Sequence, residues 1–283
     1  MSIHSLDDIA AKRNGRTVLE RLRWIDDRLQ WNGGFRRQEL MESFGISSQQ
    51  ASGDIATYQS LAPGNATITP ATKAYHREAG FAPVFPKDVH EWLLGQASRN
   101  AKALPIEKLT SPARRLDETI MAAVTTSFAT RTALRITYQS LTSATPSVRT
   151  ICTHHVVDTG ERLHLRAWDD KRQAFTDFVI GRIAGAEPDL GYPWVDGIAD
   201  ALWHQSIDVV LGPHDGLSKP QRASIEIEFG MSRGKVTVPV RKALVVYFLV
   251  RLGLLDAVRH GIADTSSRGI RCLNPADLLP FIP

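Results

Sequence analysis

The apolar residues of this chain change their spacing along its length. Through the first eighty residues they recur every three to four positions. From Leu134 to Ile183 they alternate with polar ones, and beyond Lys219 alternating stretches flank one strongly apolar run, Arg241 to Leu255. A helical period cannot serve as a strand, nor a period of two as a helix. The chain must therefore hold a helical part, a strand-rich part and a mixed part, which makes it α+β.

In the first part, Val18, Leu22, Ile25 and Leu29 line one face of a helix that Asn32-Gly33-Gly34 stops. A second helix runs from Arg36 to Phe44 and ends at Gly45. Ser47 or Ser48 caps a third, whose buried stripe is Ala51, Ile55 and Tyr58. Pro63-Gly64-Asn65 breaks it, and Ala66-Thr67-Ile68-Thr69 suits one strand of a hairpin. This is the order of a winged helix-turn-helix. At 100° per residue, Gln49, Gly53, Ala56, Thr57 and Ser60 face away from the stripe with Gln50 and Ser52 beside them, while Asp54 turns toward the core edge and a protein donor. No carboxylate stands at the centre of that outer face. A glutamine amide there can pair with adenine in a major groove, and Ser47, Ser48, Ser52, Thr57, Arg36 and Arg37 can reach phosphate or base edges. The same face would also suit an ordinary solvated helix.

Residues 81–130 read as a helical linker, with a short helix around His90 to Ser98 and another from Pro112 to Thr130. Then Leu134–Tyr138, Val148–Val157, Arg162–Trp168 and Phe175–Ile183 alternate between turn residues, as the strands of a small antiparallel barrel would. Along Arg162–Trp168, parity puts Leu163, Leu165 and Ala167 inward and Arg162, His164, Arg166 and Trp168 on the opposite face. Parity also puts Arg149 with His155, and Cys152 with His154. Arg and His beside an aromatic suit an anionic, nucleotide-like ligand, although a wet sheet face has the same pattern. In the last part Ala223, Ile225, Ile227 and Phe229 alternate as in a strand, Lys235–Val240 and Gly269–Leu273 read as strands, and Arg241–Leu255 as a helix apolar nearly all round.

No catalytic motif is found. Gly230-Met231-Ser232-Arg233-Gly234-Lys235-Val236 has the wrong glycine spacing for a P-loop, and His90-Glu91-Trp92-Leu93-Leu94 lacks the second histidine of a zinc protease. Cys152 and Cys272 stand far apart, against a disulfide framework or a cysteine-rich zinc module and in keeping with a reducing cytoplasm. We expect no cofactor, no metal and no enzyme. The 13-residue apolar run Ala243–Leu255 contains Arg251 and falls short of the roughly 20 residues a membrane span needs. A net charge of +4 permits an anionic partner without requiring one.

The carrying segments are Phe44-Gly45-Ile46-Ser47 leading to Gln50-Ala51-Ser52 and Asp54; Tyr138-Gln139-Ser140; His154-His155-Val156; Arg162-Leu163-His164-Leu165-Arg166-Ala167; and Asp177-Phe178-Val179-Ile180-Gly181-Arg182-Ile183. With them the chain resembles the WYL-domain transcriptional regulators of the BrxR/CapW type, associated with anti-phage defence. The resemblance implies a winged helix-turn-helix DNA-binding domain over 1–80, a WYL ligand-sensing domain with an SH3/Sm-like β-barrel over 131–190, a connector over 191–218 and a C-terminal dimerisation domain over 219–283. It also implies a homodimeric repressor on a palindromic duplex operator. Tyr138, Ser140, His155, Arg166 and Arg182 match positions that line the family's pocket for a nucleotide or oligonucleotide effector. Three residues depart from the family's pattern: Thr153 for a common Pro, Leu163 for Trp and Thr176 for Arg. WYL-like barrels also accompany nucleic-acid-processing enzymes, which is the alternative reading.

Overall fold

The computed structural model describes residues 5–89, 91–93, 114–261 and 269–282. It divides into two compact units, residues 1–111 and 112–283.

The first unit runs α1 (Leu6–Ala10), α2 (Gly15–Asn32), β1 (Gly34–Arg36), α3 (Arg37–Phe44), α4 (Ser48–Leu61), β2 (Ala66–Thr69) and β3 (Ala74–Arg77). Leu22, Ile25, Leu29, Leu40, Ala51, Ile55 and Tyr58 close its core. The helices stop where the chain must turn left-handed: Gly33 has φ 76° and Gly45 φ 62°. The wing has a third strand that the pattern did not announce, in the order β1-β3-β2. Gly34 makes this pairing possible, because a Cβ there would sit 2.3 Å from the Tyr75 carbonyl oxygen. Most of the helix expected around His90 to Ser98 lies outside the described residues. Trp92, which is described, stacks on Trp31 with ring centroids 4.7 Å apart.

The second unit opens with α5 (Glu118–Thr130), not at Pro112. Asp117 sets its start by accepting the backbone N–H groups of Thr119 and Ile120. Strands β4 (Ala133–Tyr138), β5 (Ser147–Asp158), β6 (Leu163–Asp169), β7 (Ala174–Val179) and β8 (Ile183–Asp189) form one antiparallel sheet in the order β7-β6-β5-β4-β8. The expected strand Phe175–Ile183 is thus two strands, separated by the 3-10 turn Ile180–Arg182. No β7–β8 pairing closes the sheet among the described residues, so it is open where a closed barrel was expected. Ile136, Ile151, Leu165, Ala167 and Phe178 pack with Ile120 and Val124 of α5 on one face.

The C-terminal part holds α6 (Ala201–His204), β9 (Ser206–Pro213), α7 (Lys219–Glu228), β10 (Val236–Arg241), α8 (Val245–Leu252), α9 (Leu255–His260), β11 (Ile270–Cys272) and α10 (Pro275–Leu278). Its sheet has the order β10-β9-β11, so the central strand lies within residues 191–218, read above as connector. Lys219–Glu228 is a helix and not the strand its alternation suggested. The Ser218 and Gln221 side chains form a capping box that starts it, and Ile225 and Phe229, four apart, reach the core while Ile227 is 83% exposed. The apolar run is likewise interrupted. A 3-10 turn, Lys242–Leu244, precedes α8, and Gly253 at φ 74° separates α8 from α9.

Candidate nucleic-acid interface and effector cleft

Buried polar contacts fix the roll of α4. Arg21 of α2 forks onto Asp54, with Nε–Oδ2 2.6 Å and Nη2–Oδ1 3.1 Å, and both side chains are buried. Asp54 thus has the protein donor expected of it. Four residues on, the Tyr58 hydroxyl donates to Asp26 at 2.5 Å, and Asp26 also accepts the backbone N–H groups of Val84 and Phe85. Burial and the Asp26 carboxylate push the Tyr58 phenol well above its ordinary range. Asn65 donates to the Tyr58 oxygen and exchanges two hydrogen bonds with the Ala82 backbone. None of this network except the Asp54 pairing could be read from spacing, since its members are 7 to 59 residues apart and follow no helical or strand period.

With the core side locked, Gln49, Gln50, Gly53, Ala56 and Ser60 stand exposed on α4. Ser47 is its N-cap, accepting the Gln50 N–H, and Ser48 begins the helix. Ser52 donates to the Ser48 carbonyl and accepts from Arg37 Nη1, while Thr57 donates to the Gly53 carbonyl, so both hydroxyls are held in place. Arg36, Arg37, Ser48, Ile68, Lys73 and Tyr75 border a groove of about 1090 Å³ between α3, the start of α4 and the wing. The structure therefore places all eight candidate DNA-contacting residues on or beside one face.

The five candidate effector residues are not brought together in the same way. Arg166 is 4% exposed and held by two carboxylates: its Nε and Nη2 donate to Asp200 at 2.5 and 3.1 Å, and Nη1 donates to Asp177 at 3.2 Å. Those carboxylates raise its pKa against the opposing effect of burial, which is the largest single influence. The Nε–Nη2 fork of this arginine is thus taken by Asp200. His155 joins the face of Arg166 because a bulge between Thr153 and His155 shifts the β5–β6 register, which separates it from Arg149 and corrects the parity reading. Its ring packs on Trp203 with centroids 4.3 Å apart, and its Nδ1 lies 2.7 Å from His154 Nδ1. Ser140 pairs with Thr142 in the turn after β4. The Tyr138 hydroxyl accepts the Val179 N–H.

Arg182 remains, and it opens a different cleft. About 500 Å³ in volume, this cleft is bordered by Arg162, His164, Val179 and Arg182 from the sheet and by Tyr247 and Arg251 from α8. A contiguous hollow of about 270 Å³ shares Arg162, Val179 and Arg182 and adds Arg114 and Arg115. Four arginines along one hollow favour a polyanion. Burial, then Arg162 and Arg182, hold His164 below its ordinary pKa, against the pull of Asp177. The Arg166 face is covered from within the chain, because Asp200 and Trp203 of the segment before β9 and Tyr247 of α8 pack over it. Among the described residues no group of three or more His, Cys, Asp or Glu could hold a metal ion, and no helix is long and apolar enough to cross a membrane.

Three family models match successive stretches: the BrxR transcriptional regulator winged helix-turn-helix domain over residues 17–97, the WYL domain over 119–188 and the BrxR C-terminal dimerization domain over 206–278. A DNA-binding transcriptional repressor CapW from Stenotrophomonas maltophilia is 33% identical over 246 residues, 83% of this chain and 82% of the relative. Proteins of the same name from Pseudomonas aeruginosa and Escherichia coli (strain KTE188) are 34% and 31% identical over 83% and 85% of this chain, and 82% and 84% of their own. The locked recognition helix, the wing, the WYL sheet and the C-terminal sheet thus occur in the order of those models, and the chain belongs to the BrxR/CapW family of WYL-domain, DNA-binding transcriptional repressors.

Proposed function

We propose that the protein represses transcription in the cytoplasm as a homodimer on a palindromic operator, with α4 of each protomer in successive major grooves. The observation that carries this reading is the double anchoring of α4 through Asp54 and Tyr58, which presents a face without carboxylates to the outside. Gln49 and Gln50 would read bases; Arg36 and Arg37 would hold phosphates, with Ser47, Ser48, Ser52 and Thr57 setting register. Half-sites should be centred about 10 bp apart or a multiple of that. We assign a phage-defence operon as the regulated unit, by likeness to the family. The WYL sheet, an SH3/Sm-like half barrel in this reading, would sense a phosphate-bearing effector in the cleft of Arg162, Arg182 and Arg251, with Arg166 and His155 as its scaffold.

Footprinting on the promoter of the protein's own operon, followed by titrations with variants, tests the DNA half. Gln49→Ala or Gln50→Ala should cost about 1–3 kcal/mol at cognate sites only. Arg37→Ala should weaken all duplexes alike and lower the salt slope by about 1. A wild-type protein with no sequence preference at moderate salt would refute the reading.

A further inference from the structure

Tyr247 belongs to α8 of the C-terminal part, yet its hydroxyl is bound into the WYL sheet. It donates to Asp177 Oδ2 at 3.1 Å and lies 3.3 Å from His164 Nδ1, with the two rings 4.6 Å apart. Asp177 is in turn fixed by Arg166 through its other oxygen. His164 sits beside Tyr247 in the wall of the arginine cleft. The tyrosine has one proton and two acceptors compete for it, the Asp177 carboxylate and, in the Nε2–H tautomer, His164 Nδ1. An imidazolium removes the competition, since Nδ1–H then donates to the phenol oxygen while the phenol donates to Asp177.

We propose that a phosphate-bearing anion seated between Arg162 and Arg182 closes a clamp, His164 to Tyr247 to Asp177, and so fixes α8 of the dimerisation part against the WYL sheet. The proposal rests on the effector reading above. The charged and titratable groups facing His164 are Asp177 on β7, Arg162 with Glu161 before β6, Arg182 after β7, and Tyr247 and Arg251 on α8. Burial and the two arginines oppose protonation of the imidazole. A dianion offsets both guanidinium charges and leaves the pull of Asp177 set against burial alone, which raises the share of imidazole that takes a proton from solvent. The ligand therefore acts on the dimerisation part without touching the operator, and the signal passes through a side chain contributed by α8 itself.

Two probes distinguish a free phosphate from an oligonucleotide: inorganic pyrophosphate and 5′-phosphorylated dithymidine. Calorimetry on the full-length protein at pH 7.5, in two buffers of different ionisation enthalpy, should show at least one probe binding with proton uptake, and Arg182→Ala weakening it tenfold or more. Operator titrations with and without saturating probe then give a response ratio for each protein. The wild type should respond fivefold or more and Tyr247→Phe, which keeps the ring, less than twofold. Binding without proton uptake, or a full response from Tyr247→Phe, overturns the clamp and leaves the effector reading standing. If neither probe binds, or binding leaves wild-type operator affinity unchanged, both are overturned.

Discussion

Arg166, Asp177 and Asp200 form a buried triad in which one guanidinium holds two carboxylates. Removing the cation leaves both anions in an interior of low dielectric, a change that costs about 3–5 kcal/mol when a buried pair is broken. Arg166→Ala should therefore lower the thermal midpoint severely, and Arg166→Lys should not restore it, since an ammonium cannot fork onto Asp200 while reaching Asp177. Thermal melts of the two variants check this; a midpoint near wild type for Arg166→Ala would contradict it. Histidines give the pH dependence. Burial holds His154 and His164 below the ordinary value of 6.5. Each binds fewer protons in the folded chain than in the unfolded one, so below about pH 6.5 unfolding takes up protons and stability falls as the pH falls. Denaturant midpoints should decline from pH 7.5 to pH 5.5, and by less in His164→Gln.

For the recognition helix, Gly53 offers a test that separates stability from function. A Cβ added there meets nothing within 4 Å, and alanine is favoured over glycine in a helix interior by about 1 kcal/mol. Gly53→Ala should raise the melting temperature while lowering operator affinity, because the added methyl stands where the groove must approach; a variant both more stable and equally tight would show that α4 does not come that close. Helix α4 was legible because Ala51, Ile55 and Tyr58 repeat locally. Strand β1 was not, since Gly34, Phe35 and Arg36 carry no alternation and become a strand only by pairing with His76, Tyr75 and Ala74. Helix α7 was misread because Ile225, Ile227 and Phe229 alternate, although Ser218 and Gln221 carried the capping signal. Sequence likeness named Arg166 and Arg182 together as effector candidates; Arg182 borders the cleft, while Arg166 lies on Asp177 and Asp200. Those carboxylates come from β7 and from a segment 34 residues away, a distance over which spacing is silent.

Across the whole molecule, dimerisation has a visible surface to use. Ile227, Leu273 and Leu279 of the C-terminal part, which matches the BrxR dimerization domain, are 83%, 38% and 45% exposed, Ile227 the most open of the three. Ile227→Glu, on a face of α7 that leaves the core intact, should shift the protein toward monomer in sedimentation and weaken operator binding through lost bivalency. A dimer as stable as wild type would place the interface elsewhere.

The position of β9 at the middle of its sheet also governs how the protein is made. Its neighbours β10 and β11 both lie downstream of it, β11 at Ile270–Cys272. The first unit can fold as it leaves the ribosome, whereas β9 must wait with both edges bare until β10 and β11 have been made. Pairing over such separation is slow. A broken message would thus yield DNA-reading heads without partners, each with half the contacts of a repressor and an exposed strand that invites proteolysis.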